Sequence, residues 1–126
     1  AGWKQSIIAM LGIGGKELSA EHCNQTARVL SLMEPDYFSF LTTVSIPGTI
    51  FNRFVKSGKI SLLNSKMLLE EMYSILINLK LSSHHQVIFR TNHVSNKFNI
   101  GGILPDQLEN ILFLTFPLNL GVNNID

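Results

Sequence analysis

The chain has 126 residues, 45% of them hydrophobic, and its ten basic and nine acidic residues give a formal charge of +1. This composition is typical of one globular unit over 1–126 and excludes a disordered or fibrous chain. The basic residues are scattered, so we expect no nucleic-acid partner. The most apolar stretch, residues 111–120, contains Thr115 and Pro117 and is shorter than the roughly 20 residues of a membrane span, so we expect no membrane partner.

The first predicted strand, Ser6–Leu11, is a continuous apolar run closed by glycines, as in a parallel strand buried on both faces. A helix follows, with Ser19 as a candidate N-cap and with apolar residues at three- and four-residue spacing up to Pro35. A second strand is predicted over residues 37–46, since aromatic and β-branched residues are frequent there. It leads into the turn formers Pro47 and Gly48.

A short helix is predicted over Ile50–Lys56, and Asn64 or Ser65 can cap a stronger helix that reaches Leu79. A third strand follows at residues 86–90. The polar segment 91–102 is predicted as a loop, and a last helix is expected from Asp106 to about Phe116. Strands that alternate with helices predict an α/β fold of about three parallel strands with flanking helices. Such a sheet has two open edges, which we expect missing chain or a partner chain to cover.

Polar and glycine residues follow each predicted strand, where ligands bind in α/β sheets. The first loop contains Gly12, Gly14 and Gly15, which suit a tight turn and a backbone contact to a nucleotide or methionine group equally well. Glu17 replaces the third glycine of a dinucleotide-binding fingerprint. A third possible function, that of a small nucleotide-binding α/β domain, rests on this loop alone. In the second loop a structural turn is favoured, although Ile46 could present an apolar edge to a planar ligand.

The third loop has the densest polar cluster, which comprises Arg90, Asn92, His93 and Asn96. Arg90 ends a strand that we predict to be buried, so its guanidinium needs an anionic partner, either a ligand or a nearby Asp or Glu. Asn92 and Asn96 offer paired donors and acceptors, and His93 could transfer protons or bind substrate.

Other reactive residue types favour structural interpretations. Cys23 is the only cysteine, which excludes an intramolecular disulfide, favours a cytoplasmic location and indicates a core thiol rather than a nucleophile. His84 and His85 lie in a serine-rich connection without a third ligand at suitable spacing, so no metal site is expected. Neither a carboxylate pair nor a Ser-His-Asp order is present, and the catalytic residues stay unassigned.

Residues 11–22, 46–49 and 89–96 together resemble the C-terminal half of radical S-adenosylmethionine (SAM) domain proteins. The subgroup is the one called Fe-S oxidoreductase or oxygen-independent coproporphyrinogen-oxidase-like, and the resemblance runs from about Gly2 to Phe116. It implies the late strands of a partial (β/α)6 TIM-like barrel that binds SAM and a [4Fe-4S] cluster at the carboxyl ends of its strands. Cleavage of SAM would give a 5′-deoxyadenosyl radical that abstracts hydrogen from a small-molecule substrate.

By position, the resemblance places residues of all three loops at the site. Gly12, Gly14 and Gly15 would lie near SAM, and Ile46 would touch the adenine. The residues that would face SAM or substrate are Arg90, Asn92, His93 and Asn96.

Several departures from the family pattern define what is expected of this chain. The family holds its cluster on three cysteines spaced Cys-x3-Cys-x2-Cys, which are absent here. Ser39 and Leu41 stand where arginines are expected in relatives, and Ser45 replaces a proline. A start without methionine also suggests a fragment. We therefore expect the C-terminal portion of a radical SAM enzyme, inactive without its N-terminal cluster-binding part; the alternative is a non-catalytic α/β binding or structural module derived from such a barrel.

Overall fold

A computed structural model describes residues 2–93, 95–96 and 99–112 of the chain. Seven elements are defined in it: β1 Ser6–Leu11, α1 Ser19–Met33, β2 Tyr37–Thr42, α2 Ile50–Lys56, α3 Ser65–Ile77, β3 Val87–Arg90 and β4 Gly101–Leu104. Residues 108–112 are also helical. They fall within the predicted last helix, whose residues 113–116 lie outside the described part of the chain. None of the described helices is long and apolar enough to cross a membrane.

The strands form one open mixed sheet in the order β1-β2-β3-β4. The first three are parallel and adjacent in chain order, as expected for an α/β fold. The fourth is antiparallel to β3. The prediction that residues 91–102 form only a loop is wrong at its end, because β4 begins at Gly101.

The position of β4 depends on hydrogen bonds between Thr91 and Ile100, which lie at the two ends of the third loop. The buried Thr91 hydroxyl donates to the Ile100 carbonyl oxygen over 2.8 Å and accepts from the Ile100 amide over 2.6 Å. These bonds bring the chain back beside β3 after the loop. Gly101 and Gly102 have low strand propensity, which explains why local sequence gave no signal for a strand there.

Two other predictions of element ends are corrected. The strand predicted over residues 37–46 ends at Thr42, whose amide donates to Ser95 Oγ rather than continuing a long ladder. Ser19 does not cap α1; Leu18 occupies the N-cap position without a side-chain hydrogen bond. Asn64 does cap α3, since its side chain accepts from the Met67 amide over 2.8 Å.

One face of the sheet packs against α1 and α3 and forms the core. Its central strands contribute Phe38, Phe40 and Phe89, whose ring centroids lie 4.9 to 5.6 Å apart. Other buried core residues come from the remaining strands and the two helices: Ala9, Leu11, Cys23, Ala27, Leu30, Leu69, Met72, Ile75, Leu76 and Leu104. Each parallel strand therefore alternates, with one set of side chains under the helices and the other set pointing away.

The second set of side chains forms what we call the open face, which no described helix covers. It consists of Ile8, Met10, Tyr37, Ser39, Leu41, Ile88, Arg90, Gly101 and Ile103, which are half-buried or exposed. Ile8 is 57% exposed. The apolar runs predicted to be buried on both faces are thus buried on one face only within the described structure.

Candidate functional site

The three loops selected in the sequence analysis lie at one edge of the sheet, the edge formed by the carboxyl ends of the parallel strands. They follow β1, β2 and β3, and the carboxyl ends of parallel strands share an edge. Since β1 and β3 are separated only by β2, the first and third loops are roughly 10 Å apart at this edge. A ligand of nucleotide size could reach both of them.

The glycine loop is a tight, closely packed turn. The Gly15 amide donates to the Gly12 carbonyl oxygen over 3.1 Å, and both glycines have positive φ, +80° and +65° for Gly12 and Gly15 respectively. A Cβ on Gly15 would lie 2.7 Å from Ile60 Cγ2, and one on Gly14 would lie 2.8 Å from Leu18 Cβ. Turn geometry and packing therefore account for glycine at these positions.

The polar groups of this loop are largely bound within the protein. Gly12 and Gly15 are buried, the Gly12 amide donates to Glu71 Oε1 over 2.7 Å, and the Lys16 amide donates to the Ser61 carbonyl oxygen over 2.9 Å. The exposed part of the loop includes the Ile13 side chain. Contact between the loop and SAM stays a prediction, and in this conformation it would use apolar surface rather than those two amides.

Glu71 is an anchor of the glycine loop that sequence reasoning missed. Its side chain is fully buried, and besides the Gly12 amide it accepts from the Ser19 hydroxyl over 2.6 Å. His22 Nε2 lies 3.6 Å from Glu71 Oε1 and 2.7 Å from the Met10 carbonyl oxygen. The sequence does contain a signal for this role. A carboxylate at this position falls between Leu68 and Ile75 on the apolar stripe of α3, so it needs buried hydrogen-bond partners there.

A second carboxylate holds the other end of the same loop. Glu17 accepts from the Ser61 amide over 2.9 Å and from the Ser61 hydroxyl over 2.6 Å. The hydroxyl bond, followed by the amide bond, lowers the pKa of Glu17 below its ordinary value. The loop is therefore fixed from both sides, by α3 and by the segment between α2 and α3.

The second loop is a turn that leaves Ile46 available. The Thr49 hydroxyl donates to the Ile46 carbonyl oxygen over 2.7 Å and accepts from the Asn52 amide, which caps α2. Gly48 has φ +90°, so the turn requires a residue that tolerates the left-handed region. The Ile46 side chain is 57% exposed, and nothing in the turn covers it.

Arg90 is exposed on the open face, contrary to the prediction that its strand end is buried. Its Nη1 donates to the Phe89 carbonyl oxygen over 2.7 Å. Within the described residues no carboxylate lies within 4.0 Å of its guanidinium, so the ion pair considered from sequence is not formed there. The arginine stem lies against Gly101, where an added Cβ would be 3.0 Å from Arg90 Cδ.

The rest of the third loop divides into outward and inward residues. Asn92 and His93 are exposed, and His93 Nδ1 accepts from the Ser95 amide over 3.1 Å, which leaves Nε2 directed away from that bond. Asn96 instead donates from Nδ2 to the carbonyl oxygens of Phe40 and Thr91, and its Oδ1 accepts from Thr42. These three hydrogen bonds connect the loop to the ends of β2 and β3, so Asn96 has a structural role.

The residues described do not form a metal site. No group of three or more His, Cys, Asp or Glu side chains among them could hold an ion. Cys23 is buried with its Sγ 3.5 Å from the Glu71 carbonyl oxygen, and burial, followed by the Glu71 charge, raises the pKa of its thiol. Because a cluster ligand is a thiolate, this cysteine does not fit a [4Fe-4S] cluster.

Comparisons with known proteins returned no match. No family model fits the chain, and neither a curated protein nor a solved structure is significantly similar to it.

Proposed function

We propose that this chain is the C-terminal portion of a cytoplasmic radical SAM enzyme that abstracts hydrogen from a small molecule. In this proposal residues 1–126 form one unit of a partial (β/α)6 barrel. The N-terminal half of the barrel, or a partner chain, holds the [4Fe-4S] cluster and covers the open sheet edge at β1. The chain alone would be inactive, because its single cysteine does not suit cluster binding.

The observation that carries the proposal is the common edge reached by the three motif-bearing loops. They follow three parallel strands that are neighbours in chain order, which is the succession that a (β/α) barrel uses. In such a barrel the helices lie outside and the other sheet face lines the interior. The open face, which carries Arg90, corresponds to that interior.

The chain's own residues would bind and orient the ligands. Ile46 offers an exposed apolar side chain for the adenine, and Asn92 and His93 offer polar groups at the same edge. The glycine loop, held by Glu71 and Glu17, would supply a rigid wall on the other side. When bound, SAM supplies the radical chemistry.

A non-catalytic module derived from the same barrel is the second candidate. It is favoured by the internal bonds of the glycine loop, whose amides at Gly12 and Lys16 are already satisfied. It is also favoured by the buried state of Cys23. These features would be kept for stability in a protein that no longer binds a cofactor.

Equilibrium binding of SAM to the anaerobically purified full-length protein tests the proposal. We expect Asn92→Ala to weaken SAM binding about tenfold, the size of one or two lost hydrogen bonds. Asn24→Ala, which changes an exposed asparagine on α1, is the matched control and should bind SAM like the unchanged protein. Absence of SAM binding, or equal loss in both variants, would favour the non-catalytic module.

A further inference from the structure

A cavity of about 460 Å³ lies at the carboxyl edge of the sheet, between the segment that follows β2 and the start of α3. Its volume is within the range of small-molecule sites, about 300–1,000 Å³. Ser95 of the third loop also lines it. The glycine loop packs against its wall, because a Cβ on Gly12 would be 3.2 Å from Leu68 Cδ2 and 3.8 Å from Leu63 Cδ1. The cavity therefore lies where the three loops meet.

The wall of this cavity combines apolar side chains with uncharged polar ones. Its apolar residues are Val44, Leu62, Leu63 and Leu68. Val44 and Leu62 are exposed, so apolar surface is accessible to a ligand there. None of the described side chains that line the cavity carries a charge. A charged ligand group would lose water on entering without meeting an opposite charge among them, which is unfavourable.

Thr43 contributes a polar group without a partner to the lining of the cavity. Its Oγ1 atom is buried and forms no hydrogen bond with any described residue, although its amide donates to the Leu11 carbonyl oxygen over 2.9 Å. A buried hydroxyl without a partner is unfavourable, because the bonds that it made to water in the unfolded chain have not been replaced. A bound molecule that forms a hydrogen bond with this hydroxyl would remove that cost.

Two further hydrogen-bond donors line the cavity. Ser45 Oγ accepts from Asn52 Nδ2 over 2.9 Å, and its own hydroxyl hydrogen has no acceptor among the described residues. Asn64 uses its Oδ1 to cap α3 at the Met67 amide, which leaves its Nδ2 group available. Three neutral donors suit a neutral acceptor such as a carbonyl oxygen, and the Thr43 oxygen can accept an N–H in return. A carboxamide offers both groups and carries no charge.

We propose that this cavity binds an uncharged small molecule through a carboxamide group. The amide accepts from the donors on the cavity wall, of which the Thr43 hydroxyl is the buried one, and the apolar part of the molecule contacts Val44, Leu62 and Leu63. This site goes beyond the proposed function, because residues of this chain alone form the cavity and ligand binding there needs neither SAM nor a cluster.

The test compares cyclohexanecarboxamide with cyclohexanecarboxylate, which has nearly the same shape and carries one negative charge. Each probe is titrated with the full-length protein without SAM, and binding is measured from the NMR line width of the probe. We expect the carboxamide to bind at least about tenfold more tightly than the carboxylate, because the cavity offers no opposite charge. Thr43→Val should weaken carboxamide binding about fivefold to tenfold, the size of one hydrogen bond.

Thr26→Val is the matched control, because Thr26 is a half-buried threonine on α1 that does not line the cavity. It should bind the carboxamide like the unchanged protein. Thr43→Val is expected to fold normally, since no described residue bonds the Thr43 hydroxyl. Urea denaturation of both variants checks that a loss of binding does not reflect a loss of folding.

Carboxamide binding that is absent, or that is unchanged in Thr43→Val, would overturn the proposed site and leave water as the partner of the Thr43 hydroxyl. Equal or tighter binding of the carboxylate would overturn the assignment of an uncharged ligand. These outcomes are separable from the SAM titration. A protein without SAM binding that still binds the carboxamide through Thr43 would retain this site and lose the proposed chemistry, and the reverse result would retain only the chemistry.

Discussion

At the scale of single residues, Glu71 shows how a buried charge can organise a loop far from it in sequence. The carboxylate is excluded from solvent, and its partners come from β1's following loop and from α1. Desolvation of a carboxylate is unfavourable unless hydrogen bonds replace water. Hydrogen bonds from the Gly12 amide and the Ser19 hydroxyl therefore stabilise the buried carboxylate of Glu71. The same bonds fix the conformation of the glycine loop.

We expect Glu71→Ala to lower the free energy of unfolding by about 2–4 kcal/mol, because the Gly12 amide and the Ser19 hydroxyl lose their acceptor. Urea denaturation measures the change. Glu70→Ala is the control, since Glu70 is the preceding, exposed residue of α3, and its effect should stay within about 0.5 kcal/mol. Equal effects of the two substitutions would remove the anchoring role of Glu71.

The different roles of Asn92 and Asn96 could not be predicted from the sequence. Asn92 and Asn96 are alike in sequence and lie in one polar loop, yet Asn92 is exposed and Asn96 binds the ends of two strands. The bond from Thr42 to Asn96 joins residues 54 positions apart. Which asparagine is exposed depends on that long-range hydrogen bond, and no local sequence pattern predicts it.

At the scale of elements, local sequence predicted the bounds of some helices and strands correctly but placed the end of β2 at residue 46 instead of Thr42. The bounds predicted for β1 and α2 agree with those observed, because an apolar run closed by glycines and a short helix that ends before Gly58 are local signals. β4 gave no such signal, since a glycine pair forms a strand only through its pairing with β3. Hydrophobic periodicity likewise gives no information on loops whose conformation is set by long-range hydrogen bonds.

Removal of the Thr91 hydroxyl tests the bonds that return the chain to β4. We expect Thr91→Val to lower the free energy of unfolding by about 1–3 kcal/mol, because the Ile100 amide loses its buried acceptor. Hydrogen exchange of the Gly101–Leu104 amides should also become faster. Thr43→Val is the control, since the buried Thr43 hydroxyl has no hydrogen-bond partner in the described structure and its loss should be neutral or slightly stabilising.

The contact between Glu17 and Ser61 predicts a pH dependence. The pKa of Glu17 is lowered in the folded state, so its contribution to stability is present above the unfolded pKa of about 4.3 and is lost as pH falls through the folded value. The urea midpoint of Glu17→Gln should lie below that of the unchanged protein at pH 7, and the gap should close below about pH 4. For Glu70→Gln no such gap is expected, and a pH-independent gap for Glu17→Gln would contradict the assignment.

At the scale of the whole molecule, the described helices cover one face of the sheet and leave the other face open. Within the described residues β1 also has no strand on its outer side: the Gln5 and Leu11 carbonyl oxygens accept from the β2 side, so the alternate groups of Ser6 and Ile8 point away from the sheet. An open edge and an apolar open face together are unfavourable in water. Further strands at β1 that curve over the open face would relieve both, which is what the proposed barrel requires.

The iron and acid-labile sulfide content of the anaerobically purified full-length protein, with its visible absorption spectrum, tests the proposed enzyme most directly. A radical SAM enzyme should contain about four irons and four sulfides per chain, with a broad absorbance that changes when SAM is added. A protein free of iron after anaerobic purification and reconstitution with iron and sulfide would contradict the proposed enzyme and leave the non-catalytic module as the function.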